Sequence, residues 1–197
     1  MNRVGSFARH VRGRVRRLTP AGAPWLAWVA TRSVMVAISV HDLLVRPTQL
    51  WLPFRITNDV SHDYFSPATQ LMAGFAPYRS FPYEYPPGTL PFLAGAHLGG
   101  TSVRAFVCSW IALMLVLDAC TVVALCRWTA SHSRRPVWMW VIGVALLGPL
   151  ALVRNDMIVA TAFVMGFWLV ATGRAARGGA FWGLAVMAPR CGRSGRC

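Results

Sequence analysis

Long apolar runs joined by arginine-containing connections constrain the fold of this chain more than any other feature. The first run, PWLAWVATRSVMVAISVHDLL at 24–44, has about 20 residues, enough for a helix to cross ~30 Å of hydrocarbon. It lacks a clear cleavage site, and further apolar runs follow it, so we interpret it as a retained anchor. The later runs lie at about 104–128, 137–153, 157–172 and, as a partial span, 178–188. The pattern predicts an all-α, polytopic membrane protein.

Composition agrees with this fold class. The chain has 197 residues, of which 55% are hydrophobic and 13% charged, whereas about 25% of the residues of a soluble domain carry charge. The net charge of +14 raises the question of nucleic acid. However, the arginines stand at the ends of apolar runs, which indicates membrane topology and not a nucleic-acid interface. We therefore expect membrane lipid, and no nucleic acid, as a partner.

The distribution of arginine predicts the orientation of the spans. The N-terminal segment 1–23 is rich in arginine, and further arginines lie in the connections at 127–135 and 174–177. All three regions fall on one side if the N-terminus is cytoplasmic and four spans are complete, as expected in a bacterial plasma membrane. The loop at 45–103 and the turn at 154–156 then face outward.

Two charged residues, Arg32 and Asp118, lie inside the predicted spans. Each is roughly 10–12 Å from the cytoplasmic end of its helix at 1.5 Å per residue. An unpaired charge at such a depth costs at least ~2.5–3.5 kcal/mol. We therefore predict an interhelical ion pair, while a direct functional role for these residues stays open.

The loop at 45–103 is expected to contain short interfacial helices. Ser66 and Pro67 form a helix-start signal, with Ser66 as the N-cap and Gly74 as the stop. In the following segment PYRSFPYEYPPG, prolines alternate with aromatic residues, so the segment should be extended and aromatic-walled. It suits either stacking on sugars or an interfacial aromatic belt. Residues 89–98 form a short interfacial stretch or an extension of the second span.

The chain has six acidic residues, and Asp59 and Asp63 lie together at the start of this loop. They share a face if the segment is helical, and otherwise they are ordinary solvated carboxylates. With His62 they are a weak signal for a divalent metal, so we assign no metal site and no cofactor. Asp156 follows Arg154 and either caps the next span or acts in the site. The five cysteines lack metal spacing and are expected to be buried.

Motifs in the loop resemble a known family. The loop reads D-V-x-x-x-Y-F and then A-x-x-L-x-x-G-x-x-P-Y-R-x-F-x-Y-E-Y-P-P-G, and an R-x-D turn follows later. This resembles the bacterial polyprenyl-phosphate-dependent glycosyltransferases of the GT-C fold, and in particular family 87, the actinobacterial mannosyltransferase-like proteins. The matching residues are Asp59, Val60, Tyr64, Ala68, Leu71, Gly74, Pro77, Tyr78, Arg79, Phe81, Tyr83, Glu84, Tyr85, Pro86, Pro87, Arg154 and Asp156.

The resemblance implies a GT-C-like N-terminal bundle and sugar transfer at the outer face. The donor would be a polyprenyl-phosphate sugar, of mannosyl type, and the acceptor a cell-envelope glycolipid or glycan. Asp59 is the candidate catalytic base, with Asp63 as its competitor because the spacing from Asp59 to Tyr64 exceeds that of the family by one residue. The implied substrate-binding residues are Arg79, Tyr83, Glu84, Tyr85, Arg154 and Asp156.

Two departures leave alternatives open. Ser80 stands where the family often has Asp, and the family has more spans than this chain. The composition changes abruptly at the tail 189–197, from which we expect a truncated or frameshifted fragment. A genuine basic tail is the alternative, and an inactive product is a third reading of the chain as given. The alternative function is a membrane transporter, flippase or non-catalytic membrane subunit built on Arg32 and Asp118.

Overall fold

A computed structural model describes residues 22–44, 56–57, 59–85, 87–129 and 133–186. These residues are helical apart from their turns and one isolated bridge between Pro77 and Phe81. The α-helices are α1 (Ala23–Leu44), α2 (Phe65–Met72), α3 (Leu90–Leu98), α4 (Val103–Trp128), α5 (Arg135–Leu147), α6 (Leu150–Val153), α7 (Asp156–Ala171) and α8 (Ala175–Val186). A π-helical turn, Val60–Tyr64, precedes α2, and a 3₁₀ turn, Pro87–Thr89, precedes α3. The predicted all-α class is confirmed for this part of the chain.

Two helices, α1 and α4, are long and apolar enough to cross a membrane. Their bounds lie within one residue of the predicted spans. The start of α4 is set by Ser102, whose Oγ accepts a hydrogen bond from the Ala105 N–H at 3.2 Å, as expected of an N-cap. The shorter apolar helices α5 and α7 lack this length, so the number of membrane crossings stays a prediction.

The predicted third span has a break near its end, at Pro149, where the sequence predicts a kink. It is divided into α5 and α6 by Gly148, whose φ of +63° ends α5, and by Pro149, which follows directly. Glycine adopts this left-handed conformation without a Cβ clash, and proline cannot continue the preceding hydrogen-bond pattern. The break comes directly before the turn that carries Arg154 and Asp156.

Residues 89–98 are not an extension of the second span, because α3 and α4 form a helical hairpin. The chain reverses at Gly99 and Gly100, and a Cβ on Gly99 would collide with the Ser109 side chain. This close approach lets α3 pack along α4. The hairpin thereby holds the loop that precedes α3 against the first half of α4.

Helices α7 and α8 form a second close hairpin. Trp182 of α8 packs directly over Gly166, where a Cβ would overlap the indole ring. Gly178 of α8 lies against Val170 and the backbone of Gly166. Small residues at a helix contact let the backbones approach closely, and such residues are enriched where helices pack together in membranes.

The main apolar core lies where the loop meets α4. Trp110, Phe106 and Met114 are fully buried there, and Val60, Tyr64 and Leu93 pack against them. In contrast, large apolar side chains elsewhere are exposed, among them Leu146 at 83% and Met139 at 75%.

The cysteine expectation is wrong for the cysteines that the structure describes. Cys108 and Cys120 are exposed and Cys126 is half-buried. They lie on α4, a helix so apolar on all sides that apolar neighbours in sequence do not reveal its buried face. The arginine-rich segment 1–21 and the tail 189–197 lie outside the described residues, as do Cys191 and Cys197.

Candidate functional site

The predicted ion pair between Arg32 and Asp118 is confirmed. Arg32 Nε lies 2.7 Å from Asp118 Oδ2, with the two residues 2% and 0% exposed. Arg32 also donates to the Val141 carbonyl at 3.0 Å. The contact thus joins α1 to both α4 and α5.

Two indoles complete the surroundings of Asp118. Trp28 Nε1 donates to Oδ2 and Trp140 Nε1 donates to Oδ1, each at 2.7 Å. The carboxylate therefore accepts from an arginine and two tryptophans on different helices. Buried charges persist when their hydrogen-bonding capacity is met in this way. This geometry accounts for the pair as a structural element between helices.

The first candidate carboxylates lie on a π-helical turn. Asp59 begins the turn, and the Phe65 N–H bonds to the carbonyl of Val60, five residues back. The segment is helical, so Asp59 and Asp63 stand about one turn apart on neighbouring parts of one face. Single π-helical turns are rare in proteins overall, but those that occur are often found at functional sites. Asp59 is half-buried and Asp63 is exposed.

The predicted start of α2 at Ser66 is therefore wrong. The helical path already begins at Asp59 and continues through Phe65, and the N-cap position of α2 is Tyr64. Ser66 lies inside α2, where its Oγ accepts from Gln70 Nε2 at 3.2 Å. The serine–proline signal is local, whereas the burial of Val60 and Tyr64 against α4 extends the helix backwards.

Asp42, at the end of α1, anchors the entry to the π turn. Its Oδ2 accepts from the Thr57 N–H at 3.0 Å and from Thr57 Oγ1 at 2.9 Å. Thr57 is 2% exposed, and its carbonyl accepts from the Ser61 N–H at 3.0 Å. A carboxylate on a long helix thereby holds Thr57, two residues before Asp59 in the sequence. Sequence reasoning missed this role.

Asp59, Asp63, Tyr64, Glu84 and Tyr85 form what we call the acidic–aromatic cluster. The rings of Tyr64 and Tyr85 meet edge to face, with centroids 5.2 Å apart. Burial raises the pKa of Tyr85, and the negative charges of Asp63, Asp59 and Glu84 raise it further. Burial also raises the pKa of Tyr64, with smaller contributions from Tyr85 and Asp59. Three acidic residues thus act on one pair of phenols.

The aromatic segment forms the wall beside this cluster. It is not extended throughout as predicted, because residues 78–80 form a turn closed by the bridge between Pro77 and Phe81, and a 3₁₀ turn begins at Pro87. Tyr83 is 7% exposed, and its hydroxyl hydrogen-bonds with Thr89 Oγ1. Burial raises the pKa of Tyr83 to about 12. Arg79 and Glu84 are exposed. Tyr83 therefore supports the wall from inside, and the side chains at 79 and 84 reach solvent.

The turn at 154–156 reaches the cluster through its backbone. The main chain of Asn155 lies close enough to the Tyr64 hydroxyl to lower the pKa of Tyr64, against the larger effect of burial. On either side, Arg154 Nε and Asp156 Oδ2 form an exposed salt bridge of 3.3 Å. Such a pair contributes only ~0–1 kcal/mol to stability, so both side chains are available to a ligand.

The structure brings the loop that carries Asp59 and Asp63 close to the turn at 154–156, but no salt bridge joins their described residues. Within the described ranges, the salt bridges are those at 32–118 and 154–156, so neither Arg79 nor Arg154 is paired with Asp59 or Asp63. Sequence reasoning missed Asn155 as a contact, because nothing in its neighbours reveals that its main chain meets Tyr64. In the same ranges, no group of three or more His, Cys, Asp or Glu side chains could hold a metal ion.

Comparisons with family models, with curated proteins and with solved structures find no match to this chain. The functional assignment therefore depends on the site and on the motif resemblance.

Proposed function

We propose that the chain is a membrane glycosyltransferase that moves a sugar, of mannosyl type, from a polyprenyl-phosphate donor to a cell-envelope glycolipid or glycan. The observation that carries the proposal is the acidic–aromatic cluster, in which a half-buried and an exposed carboxylate adjoin two tyrosines beside the turn of Arg154. The GT-C resemblance supports the same reading. Exposed apolar side chains on α5, such as Leu146, suit contact with lipid.

The chemistry needs a base at the acceptor and cations at the leaving group. An acceptor hydroxyl attacks the anomeric carbon while its proton passes to a carboxylate. The bond from the anomeric carbon to the phosphate oxygen breaks, and the lipid phosphate leaves with the bonding electron pair. Arginine suits the developing negative charge because it binds phosphate oxygens in a bidentate manner. Arg79 and Arg154 are our candidates for this role.

Asp59 is preferred to Asp63 as the base. It lies at the start of the π turn, is half-buried, and acts on both Tyr64 and Tyr85, whereas Asp63 is exposed and acts on Tyr85. Asp63, Glu84 and Asp156 are our candidates for binding sugar hydroxyls.

The test is transfer of radiolabelled sugar from a polyprenyl phosphate by the full chain in lipid vesicles. We expect Asp59→Asn to slow transfer by about 10²–10⁴-fold, the usual contribution of general-base catalysis. Asp63→Asn should have a much smaller effect. His62→Gln, an exposed change on the same π turn, is the matched control and should leave transfer unchanged.

Three outcomes contradict the proposal in different ways. Undiminished transfer by Asp59→Asn removes that residue as the base. Loss of transfer in Asp63→Asn alone reverses the assignment of the two carboxylates. If the wild-type chain moves labelled lipid between leaflets without sugar transfer, the transporter or flippase alternative is favoured, with the buried Arg32–Asp118 pair as its charged element.

A further inference from the structure

Tyr78 holds a backbone conformation that bulky residues rarely adopt. Its φ is +65°, and among the described residues it is the one non-glycine residue with positive φ. A side chain in this left-handed region is strained, and strained residues concentrate at binding sites. The turn around Tyr78 must therefore supply contacts that hold it in place.

Those contacts fix both ends of the residue. The Tyr78 N–H donates to the Phe81 carbonyl at 3.1 Å, within the bridge between Pro77 and Phe81. At the other end, the Tyr78 hydroxyl donates to the Tyr85 carbonyl. The ring also packs against Tyr83, with centroids 5.7 Å apart. The orientation of the ring is thus set from the backbone and from the hydroxyl.

The ring nevertheless remains open to solvent. Tyr78 is 45% exposed, whereas Phe81 and Tyr83, close to it in the same segment, are 6% and 7% exposed. The hydrophobic effect favours burying a phenol ring where the fold can do so. Here the fold instead orients the ring and leaves much of it uncovered, beside the residue whose phenol responds to Asp59 and Asp63.

A headgroup-level aromatic belt explains this arrangement less well. In such a belt, the apolar part of tyrosine enters the bilayer and its hydroxyl reaches the polar interface. The Tyr78 hydroxyl is instead used inside the protein, on the Tyr85 carbonyl. What the residue offers to a ligand is therefore its ring, in contact with Tyr85 of the acidic–aromatic cluster.

We propose that Tyr78 is the stacking platform for a pyranose ring at the acidic–aromatic cluster. The C–H face of a hexose is apolar and weakly positive, which suits the negative face of an aromatic ring. Its hydroxyls suit the carboxylates that act on Tyr85, the residue to which the Tyr78 hydroxyl donates. The proposal rests on the proposed function, because it supplies the sugar subsite of that reaction. It replaces Tyr83, which is buried, with Tyr78 as the aromatic contact to the sugar.

The test is binding, not turnover. Saturation-transfer NMR on the full chain in lipid nanodiscs would measure the affinity for a methyl hexopyranoside, which represents the acceptor, and for a short-chain isoprenyl phosphohexose, which represents the donor. Tyr78→Gly and Tyr78→Asn remove the ring but tolerate the left-handed backbone. We expect both to weaken binding roughly tenfold, the size of an aromatic contact of about 1–1.5 kcal/mol.

Two further variants make the test specific. Tyr78→Phe keeps the stacking face and should retain most of the affinity, whereas Phe75→Ala removes a nearby ring that is 55% exposed and should have no effect. If only the affinity for the glycoside depends on Tyr78, the platform belongs to the acceptor. If only the affinity for the phosphohexose depends on Tyr78, the platform belongs to the donor. Either result supports the proposal.

Several results would overturn it. The platform is wrong if the wild-type chain binds neither probe, if the ringless variants bind as well as the wild type, or if Tyr78→Phe binds as weakly as Tyr78→Gly. It is also wrong if Phe75→Ala weakens binding equally. If the chain binds hexose through Tyr78 but transfers no sugar, the proposed function is refuted and the platform is not. If the chain transfers sugar but its hexose binding does not depend on Tyr78, the platform is refuted and the proposed function is not.

Discussion

Asp118 and Asp59 are both helical carboxylates, but the fold surrounds them differently. Asp118 is 0% exposed and accepts hydrogen bonds from Arg32, Trp28 and Trp140. Asp59 is half-buried on a π turn and, within the described part of the chain, forms no salt bridge. A charge whose hydrogen-bonding capacity is fully used serves stability, whereas one that adjoins solvent and two tyrosines can meet a ligand.

The comparison predicts that damage at the buried pair has the largest effect on stability. Asp118→Asn leaves the Arg32 guanidinium buried without its counter-charge, so the free energy of unfolding should fall by about 3–5 kcal/mol. The combined change Arg32→Met and Asp118→Leu removes both charges and should recover a large part of this loss. Chemical unfolding in detergent micelles, followed by circular dichroism, measures both.

Ser33→Ala is the control for the buried pair, because Ser33 is exposed and adjoins Arg32 on α1. If Asp118→Asn unfolds as the wild type does, the contacts of Asp118 are not structural and the contrast with Asp59 disappears.

Asp42 offers a test between these extremes, since its carboxylate is structural but holds the site. Asp42→Ala removes the acceptor for both Thr57 donors, and hydrogen bonds to a charged group contribute about 1.5–3 kcal/mol. We expect this loss to appear locally, as faster amide exchange at Thr57 and Ser61 and as reduced sugar transfer. Helix α4 should keep its protection.

The neighbouring His41→Ala is the matched control, because His41 is exposed. Unchanged exchange at Thr57 in the Asp42 variant would show that the π turn is positioned by its packing alone.

The smallest effect is expected at Tyr83, which belongs to the wall of the site. Tyr83→Phe loses the hydrogen bond to Thr89 and should cost about 0.5–1.5 kcal/mol at neutral pH. Burial raises the pKa of Tyr83 from 10.0 to about 12, so the folded state holds this proton more tightly than the unfolded state. Its contribution to stability is complete below pH 10 and is lost as the pH rises from 10 through 12.

Unfolding measured against pH checks this prediction. Tyr83→Phe should make the decline in stability above pH 10 less steep, although Tyr64 and Tyr85, whose pKa values are also raised, leave part of it. An identical slope in the variant and the wild type would mean that Tyr83 ionises as readily in the folded protein as in the unfolded chain.

Much of the helical framework could be predicted from residue order. Helices α1 and α4 follow from long apolar runs, and the pairing of Arg32 with Asp118 follows from two opposite charges at equal predicted depth. These inferences succeed because an unpaired charge in apolar surroundings is costly wherever it occurs. They need no knowledge of which helices are neighbours.

Other features depended on contacts between distant segments. The π turn extends α2 backwards because Val60 and Tyr64 pack against α4, which outweighs the local start signal at Ser66. The approach of Asn155 to Tyr64 joins residues separated by nearly half of the chain. The exposed cysteines show the same limit, since an apolar run does not reveal which side of α4 faces the core.

The sequence by itself determined the helical class, the two membrane-length helices and the buried ion pair, because hydropathy and charge act through each residue's own chemistry. It also supplied the carboxylates, tyrosines and arginines of the candidate site. Only the tertiary structure decided which of them meet. It buried Tyr83, strained and exposed Tyr78, and bound Thr57 to Asp42, because burial and backbone strain are set by the segments that pack around a residue.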